Sequence, residues 1–296
     1  MRDSNDNGWR AHRPHIEGRG GCPLSGELTG RVVVITGAAG GIGAALARRF
    51  GREGAHLALL DLEHGRLQPV ASELEAAGIS ALALACDVTS AQACGNAIAT
   101  AVENFGGIDV LLNNAGITHL SLFRDTDLDV IRRVMEVNFF GAVHCTQAAL
   151  PHLLERRGHI AVLSSFAGLA PLASRSGYAA SKHALNGFFG SLRTELRGAG
   201  VGVTLVCPTF IKTNIGDRAL GGDGRKASLP RSETGTPASP ERLAEAIYVA
   251  VRARRPLLVP FRDAKIAWWV SRLAPALFER MMFRRIMPSE PNSDAK

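Results

Sequence analysis

Tyr178 and Lys182 stand four residues apart in Tyr178-Ala-Ala-Ser-Lys182, a segment that reads as the start of a helix. At that spacing both side chains leave one helix face. A phenol with its ordinary pKa of about 10 holds its proton too firmly to serve as a base near neutrality, and a neighbouring ammonium favours the phenolate. The pair is therefore a candidate acid/base device for a reaction at a hydroxyl or carbonyl oxygen. Alone it would pass for a surface contact. Its weight comes from occurring with Ser165, 13 positions earlier, and with Asn138. His183, one position beyond Lys182, points about 100° away around a helix and is read as structural. Ser164 is read as a structural neighbour of Ser165, and His119 is left out of the site.

A second cluster sits near the front of the chain. Val32-Val33-Val34-Ile35 runs into Thr36-Gly37-Ala38-Ala39-Gly40-Gly41-Ile42-Gly43 and then into the helical pattern Ala44-Ala45-Leu46. A glycine-rich turn between strand and helix lets backbone N–H groups approach a pyrophosphate at the positive helix end. Asp61 closes the next apolar run at the distance where a carboxylate can take a ribose 2′-OH and repel a 2′-phosphate.

These residues need a frame. Short apolar runs at Val32–Thr36, His56–Leu60, Ser80–Ala85, Ile108–Asn113, His159–Ser164, Gly202–Cys207 and Leu257–Pro260 alternate with helical patterns. The runs are too continuously apolar for half-exposed strands, which predicts a doubly wound α/β fold, a Rossmann-type parallel sheet of about seven strands with helices on both faces. A single helix is expected over Leu128–Leu154, kinking or ending at Pro151. Gly216–Ser239, rich in Gly and Pro, is expected to form no regular element and is read as a lid at the carboxyl ends of the strands.

The motif Thr36-Gly37-x-x-x-Gly41-Ile42-Gly43, with Asp87-Val88, Asn113-Asn114-Ala115-Gly116, Asn138, Ser164-Ser165, Tyr178-x-x-x-Lys182 and Pro208…Thr213, resembles the short-chain dehydrogenase/reductase family over roughly residues 28–260. Phe166 to Asn214 look most like its lipid- or steroid-handling branch. The resemblance implies hydride transfer between a nicotinamide cofactor and a secondary alcohol or ketone. It implies Tyr178 as general acid/base, Lys182 also on the nicotinamide ribose, Ser165 holding the substrate oxygen and Asn138 ordering a relay water. Gly37, Gly41, Ile42, Gly43, Asp61, Asp87, Val88, Asn113, Tyr178, Lys182, Pro208 and Thr213 are then expected at the cofactor. Gly40 and Leu62 stand where family members that prefer NADP usually carry a basic residue, and Arg66 is the first basic residue beyond Asp61, so NAD is favoured over NADP. Thr209 replaces the glycine that commonly follows the proline of Pro208, which puts cofactor binding there in question.

Composition sets the remaining bounds. The 34 Lys and Arg against 27 Asp and Glu leave a charge of +7, but residues 1–251 carry only +1 and 252–296 carry +6. The body is nearly neutral, which argues against nucleic acid as a partner. Cys22, Cys86, Cys94, Cys145 and Cys207 are odd in number and scattered, pointing to buried thiols in a reducing, cytoplasmic setting with no metal site. Residues 1–27, including His12 and His15, are read as a flexible leader, 28–260 as the catalytic domain and 261–296 as a basic amphipathic extension. For 262–287 three readings stay open: a cover over an apolar substrate, a peripheral contact with an anionic membrane, or a subunit contact. The family resemblance suggests a homodimer or homotetramer. The competing functions are an NADP-linked reductase of lipidic carbonyls and, in another class, a non-catalytic dinucleotide-binding scaffold.

Overall fold

The computed structural model describes residues 28–213, 215–228 and 237–286. The leader with its His pair, Cys22, Asn214, positions 229–236 of the Gly/Pro-rich segment and everything past Ile286 lie outside these residues.

Strands β1 (Val32–Thr36), β2 (His56–Asp61), β3 (Ala81–Ala85), β4 (Val110–Asn113), β5 (His159–Leu163), β6 (Gly202–Val206) and β7 (Leu257–Leu258) form one seven-stranded parallel sheet in the order β3-β2-β1-β4-β5-β6-β7. Every residue of β1 is buried. Val33 and Ile35 join a core layer with Phe50, Leu67, Leu74, Leu243 and Ile247, whereas Val34 joins a layer with Ile98, Cys145, Leu153, Leu185 and Phe189 on the other face. The first layer belongs to α1 (Gly41–Gly51), α2 (His64–Ala76) and α7 (Pro240–Arg252), the second to α3 (Ala91–Phe105), α5 (Gly141–Arg156) and α6 (Ser176–Glu195). Burial on both faces is why these strands read as unbroken apolar runs. Each fully buried aliphatic side chain contributes roughly 1.5–3 kcal/mol.

The strand order reverses direction at β1, which pairs with β2 on one side and β4 on the other. The carboxyl ends of β1 and β4 therefore flank a crevice, the place where open α/β sheets bind ligands.

One expectation is refined and one corrected. The helix expected over Leu128–Leu154 is continuous but contains a π-helical turn: α4 (Leu128–Met135) passes into it at Glu136–Phe140, and α5 follows directly. Pro151 does not end α5, which continues to Arg156; Cys145, Ala149 and Leu153 are buried along it, and their packing holds the ladder past the missing N–H. The described part of Gly216–Ser239 has no helix or strand, as expected, and is held by backbone hydrogen bonds around Leu220 and Gly222. Leu220 N–H donates to the Thr118 carbonyl at 2.9 Å, Leu120 N–H to the Leu220 carbonyl at 2.8 Å, and Asp127 N–H to the Gly222 carbonyl at 2.8 Å.

Beyond β7, α8 (Arg262–Leu273) and α9 (Pro275–Ile286) pack on each other at the edge of the sheet's carboxyl end.

Candidate active site

At the crevice the glycine turn is locked from both sides. The Thr36 hydroxyl accepts the N–H groups of Asn114 and Ala115, both at 3.0 Å, and the Asn114 side-chain amide donates to the carbonyls of Thr36 at 2.9 Å and Gly37 at 3.0 Å. Gly43 has no alternative: a Cβ there would run into the Gly37 carbonyl and stand 2.8 Å from Ala38 Cα. Gly37 has φ +64°, and its own Cβ would stand 2.9 Å from Ala115 Cα. No side chain caps the start of α1 and no acidic residue occupies its first turn, so its N–H groups face the crevice as an anion-binding end.

Asp61 is buried at the tip of β2. Its carboxylate accepts Ala39 N–H and Leu62 N–H, both at 3.0 Å, and Arg66 Nη1 stands 3.3 Å away. From here a cleft of about 680 Å³ runs past Asp87 and Val88 to Ser165, Tyr178 and Lys182, with Gly37, Gly41, Ile42, Pro208 and Thr213 in its walls.

Tyr178 lies in the first turn of α6 and Lys182 one turn on, its Nζ 5.6 Å from the Tyr178 ring centre. Lys182 is buried, Nζ donates to the Leu163 carbonyl at 2.8 Å, and burial lowers its pKa from 10.5 to about 8. Burial raises the pKa of Tyr178, opposed by the neighbouring Ser165 hydroxyl and by the charge of Arg175. The charge of Arg175 lowers the phenol's pKa, but by less than burial raises it. Ser165 accepts Ala167 N–H at 3.1 Å, which fixes it at the head of a short 3₁₀ turn beside the phenol. Ser164 donates to the Lys182 carbonyl at 3.1 Å, and His183 is exposed.

Asn138 sits buried in the π-helical turn, behind Gly116. Its side chain accepts Ile117 N–H at 2.8 Å and donates to the Ile117 carbonyl at 3.0 Å and Ser181 Oγ at 2.9 Å, so both amide atoms are engaged.

Of the residues singled out from sequence, Gly43, Asn113 and Asn138 do not line the cleft. Asn113 turns away into the core and donates to Thr146 Oγ1 at 2.9 Å; Asn114, the next residue, lines the cleft instead. Alternation along a strand explains the exchange, since one step moves a side chain to the opposite face. Arg133, Arg175 and Arg218, not expected from the sequence, also line the cleft, together with Arg66. Arg66 was detectable as the first basic residue after Asp61; the others carry no local signal. Thr209 creates no backbone conflict, because the non-glycine residues with positive φ among those described are Arg157, Ser174 and Arg254. His119 lies buried outside the lining, with Nδ1 3.2 Å from Ser121 Oγ. The described thiols Cys86, Cys94, Cys145 and Cys207 are all free and buried.

A Rossmann-type sheet with a glycine turn, an acidic residue after β2 and a Ser/Tyr/Lys group on one crevice defines a dinucleotide-linked oxidoreductase architecture. The comparisons agree with this class. The short chain dehydrogenase model matches residues 31–220. Dehydrogenase/reductase SDR family member 7B of Xenopus laevis is 37% identical over 266 residues, covering 87% of this chain and 82% of the relative. The protein of that name from Bos taurus is 38% identical over 262 residues, covering 86% and 81%. Among solved structures, a short chain dehydrogenase/reductase from Burkholderia phymatum in complex with NAD superposes with a TM-score of 0.75 at 27% identity, covering 90% of this chain and 99% of that one. A dehydrogenase/reductase from Sinorhizobium meliloti gives 0.69 at 34%, covering 80% and 94%. The chain belongs to the short-chain dehydrogenase/reductase family of oxidoreductases.

Proposed function

We propose that this chain interconverts a hydrophobic secondary alcohol and its ketone with NAD, using Tyr178 as general acid/base. The observation that carries this reading is the convergence of Ser165, Tyr178 and buried Lys182 at the far end of a cleft that begins at the glycine turn and Asp61. The residues fit a dinucleotide: Gly37 and Gly43 leave no room for a side chain, Gly41 holds a positive φ, and a buried carboxylate closes the adenosine end. Gly37, Gly41 and Ile42 would hold the pyrophosphate, Asp61 the ribose 2′-OH, Asp87 and Val88 the adenine side, and Pro208, Thr213 and Lys182 the nicotinamide side. When bound, the cofactor supplies the hydride acceptor or donor.

The protein's share is to fix one oxygen and move one proton. Ser165 and Tyr178 hold the substrate oxygen, and the phenol takes or gives the proton. Lys182, near pKa 8, switches charge close to working pH and is placed to relay it. Because the Asn138 amide is spent on Ile117 and Ser181, a relay water would rest on its main-chain carbonyl; the side chain positions the 114–118 segment. Ile117, Leu163, Phe210 and Ile215 supply apolar wall, which supports a hydrophobic substrate. Exposed Phe140, Leu154 and Phe188 on α5, α6 and the turn before α5 support assembly as a dimer or tetramer, and four free buried thiols support a reducing compartment.

One observation favours a second reading. Arg66 reaches Asp61 inside the cleft, so a cation stands at the adenosine end where a 2′-phosphate would lie, supporting an NADP-linked reductase of lipidic carbonyls. Hydrophobic secondary alcohols assayed with NAD and with NADP for reduced-nicotinamide absorbance test both readings. The expected result is turnover with NAD at the higher kcat/KM; a tenfold preference for NADP would select the second reading, and no turnover with any alcohol or ketone would select a scaffold. Tyr178→Phe is expected to lower kcat by about 10²–10⁴ with cofactor affinity retained.

A further inference from the structure

We propose that α8 and α9 form a docking platform that seats the protein on an anionic lipid surface, next to the substrate end of the cleft. The pair has two unlike faces. Inward, Ala264 and Phe278 are buried, and Trp268 packs with Cys207, Val259 and Phe166. The rings of Phe278 and Phe166 lie 6.2 Å apart, and Phe166 directly follows Ser165. The platform is thereby anchored on the outer side of the turn that holds the site serine. No described side chain of α8 or α9 lines the cleft.

Outward, Ile266, Trp269 and Leu273 repeat at helical spacing along α8, and Leu277, Met281 and Phe283 continue the exposed apolar surface on α9. Lys265, Arg272, Arg280 and Arg284 are exposed among them, with Glu279 the exposed acidic side chain described on these two helices. Exposed Trp and Phe bordered by Lys and Arg is the composition of a helix lying in a bilayer interface. Charge chooses the occupant. In the sequence of α8 and α9 six basic residues (Arg262, Lys265, Arg272, Arg280, Arg284 and Arg285) stand against Asp263 and Glu279, so a second copy of this face would meet it with like charge, whereas anionic headgroups meet it with opposite charge. No described helix is long and apolar enough to cross a membrane, which makes the contact interfacial. Joined to the reading of the cleft given above, on which this last step rests, the platform holds the Ser165 end of the cleft near the lipid phase, where a hydrophobic alcohol or ketone concentrates.

The test is co-sedimentation of the full chain with phosphatidylcholine vesicles with or without phosphatidylserine, at low and high salt, with NAD binding measured on the same samples. The expected result is pelleting at least tenfold stronger with phosphatidylserine, lost at high salt. Each Lys or Arg at an anionic surface is worth about fivefold in partitioning, so Arg272→Glu with Arg280→Glu is expected to weaken binding by more than about 25-fold. Trp269→Ala with Phe283→Ala should weaken it at both salt levels; these side chains are exposed, so folding and NAD binding should persist. Absence of pelleting, equal pelleting on neutral vesicles, or a dimer broken by Trp269→Ala without pelleting would overturn the proposal. None of those results depends on turnover, so the cleft's function stands or falls separately.

Discussion

Replacing Lys182 by methionine should abolish turnover yet make the folded chain more stable near neutral pH. The ammonium is only 4% exposed, and burial lowers its pKa from 10.5 to about 8. That difference corresponds to a penalty of roughly 3 kcal/mol for keeping the charge in the folded state, at about 1.4 kcal/mol per pKa unit. Methionine fills a similar volume without charge but forfeits the 2.8 Å hydrogen bond to the Leu163 carbonyl. A hydrogen bond from a charged donor contributes about 1.5–3 kcal/mol, so a net gain on the order of 1 kcal/mol remains. The sign of the pH dependence follows from linkage. Below about pH 8 both states carry the proton and the penalty is complete. Between about 8 and 10.5 the folded chain has lost the proton that the unfolded chain retains, so wild-type stability rises with pH and the variant's advantage closes. Urea unfolding of both proteins near pH 7 and near pH 10 measures the gap. A variant less stable than wild type near neutrality, or a gap that does not narrow with rising pH, would refute the reasoning that Lys182 is held charged at a cost to the fold.

Three further substitutions probe other parts of the structure. Asp61→Ala removes the acceptor of Ala39 N–H and Leu62 N–H and frees Arg66; NAD affinity should fall by about tenfold or more while the kcat/KM ratio of NADP to NAD rises, and an unchanged ratio would remove Asp61 from cofactor selection. Gly43→Ala drives a Cβ into the Gly37 carbonyl, so α1 must shift; thermal melts should show a loss of about 1–3 kcal/mol, and fluorescence titration should show weakened dinucleotide binding. Asp109→Ala, at the amino-terminal end of the sheet, strips a buried carboxylate from Val32 N–H at 2.9 Å and from Arg31 at 2.8 Å; a loss of about 3 kcal/mol is expected, with NAD affinity of the folded protein unchanged because the cleft is at the opposite edge.

The sheet was legible because its strands are buried on both faces, so apolar runs such as Val32–Ile35 and Leu57–Leu60 have no polar interruption to confuse the reading. The glycine turn was legible because close backbone approach leaves only one residue type possible at Gly43. The interruption at Glu136–Phe140 was not, since the apolar pattern of α4 continues into α5 without a proline or glycine breaker before Gly141. Pro151 pointed the other way, to a break that packing around Ala149 and Leu153 prevents.

By itself the sequence determined which residue types meet the backbone: the glycines that admit a pyrophosphate, Asp61 at a strand end, Tyr178 and Lys182 on one helix face. These follow from local geometry, the period of a helix or strand and the sterics of a turn. Only the tertiary structure decided what each side chain faces. It sent Asn113 into the core and Asn114 to the cleft, brought Arg66 onto Asp61, set Arg175 beside the phenol, and laid α8 and α9 against Phe166. The contacts of Asn113 with Thr146, Asn114 with Thr36 and Phe278 with Phe166 join residues distant in the chain, and the potential at an ionisable group depends on burial and on neighbours supplied by other elements. A pattern along the chain carries no record of either.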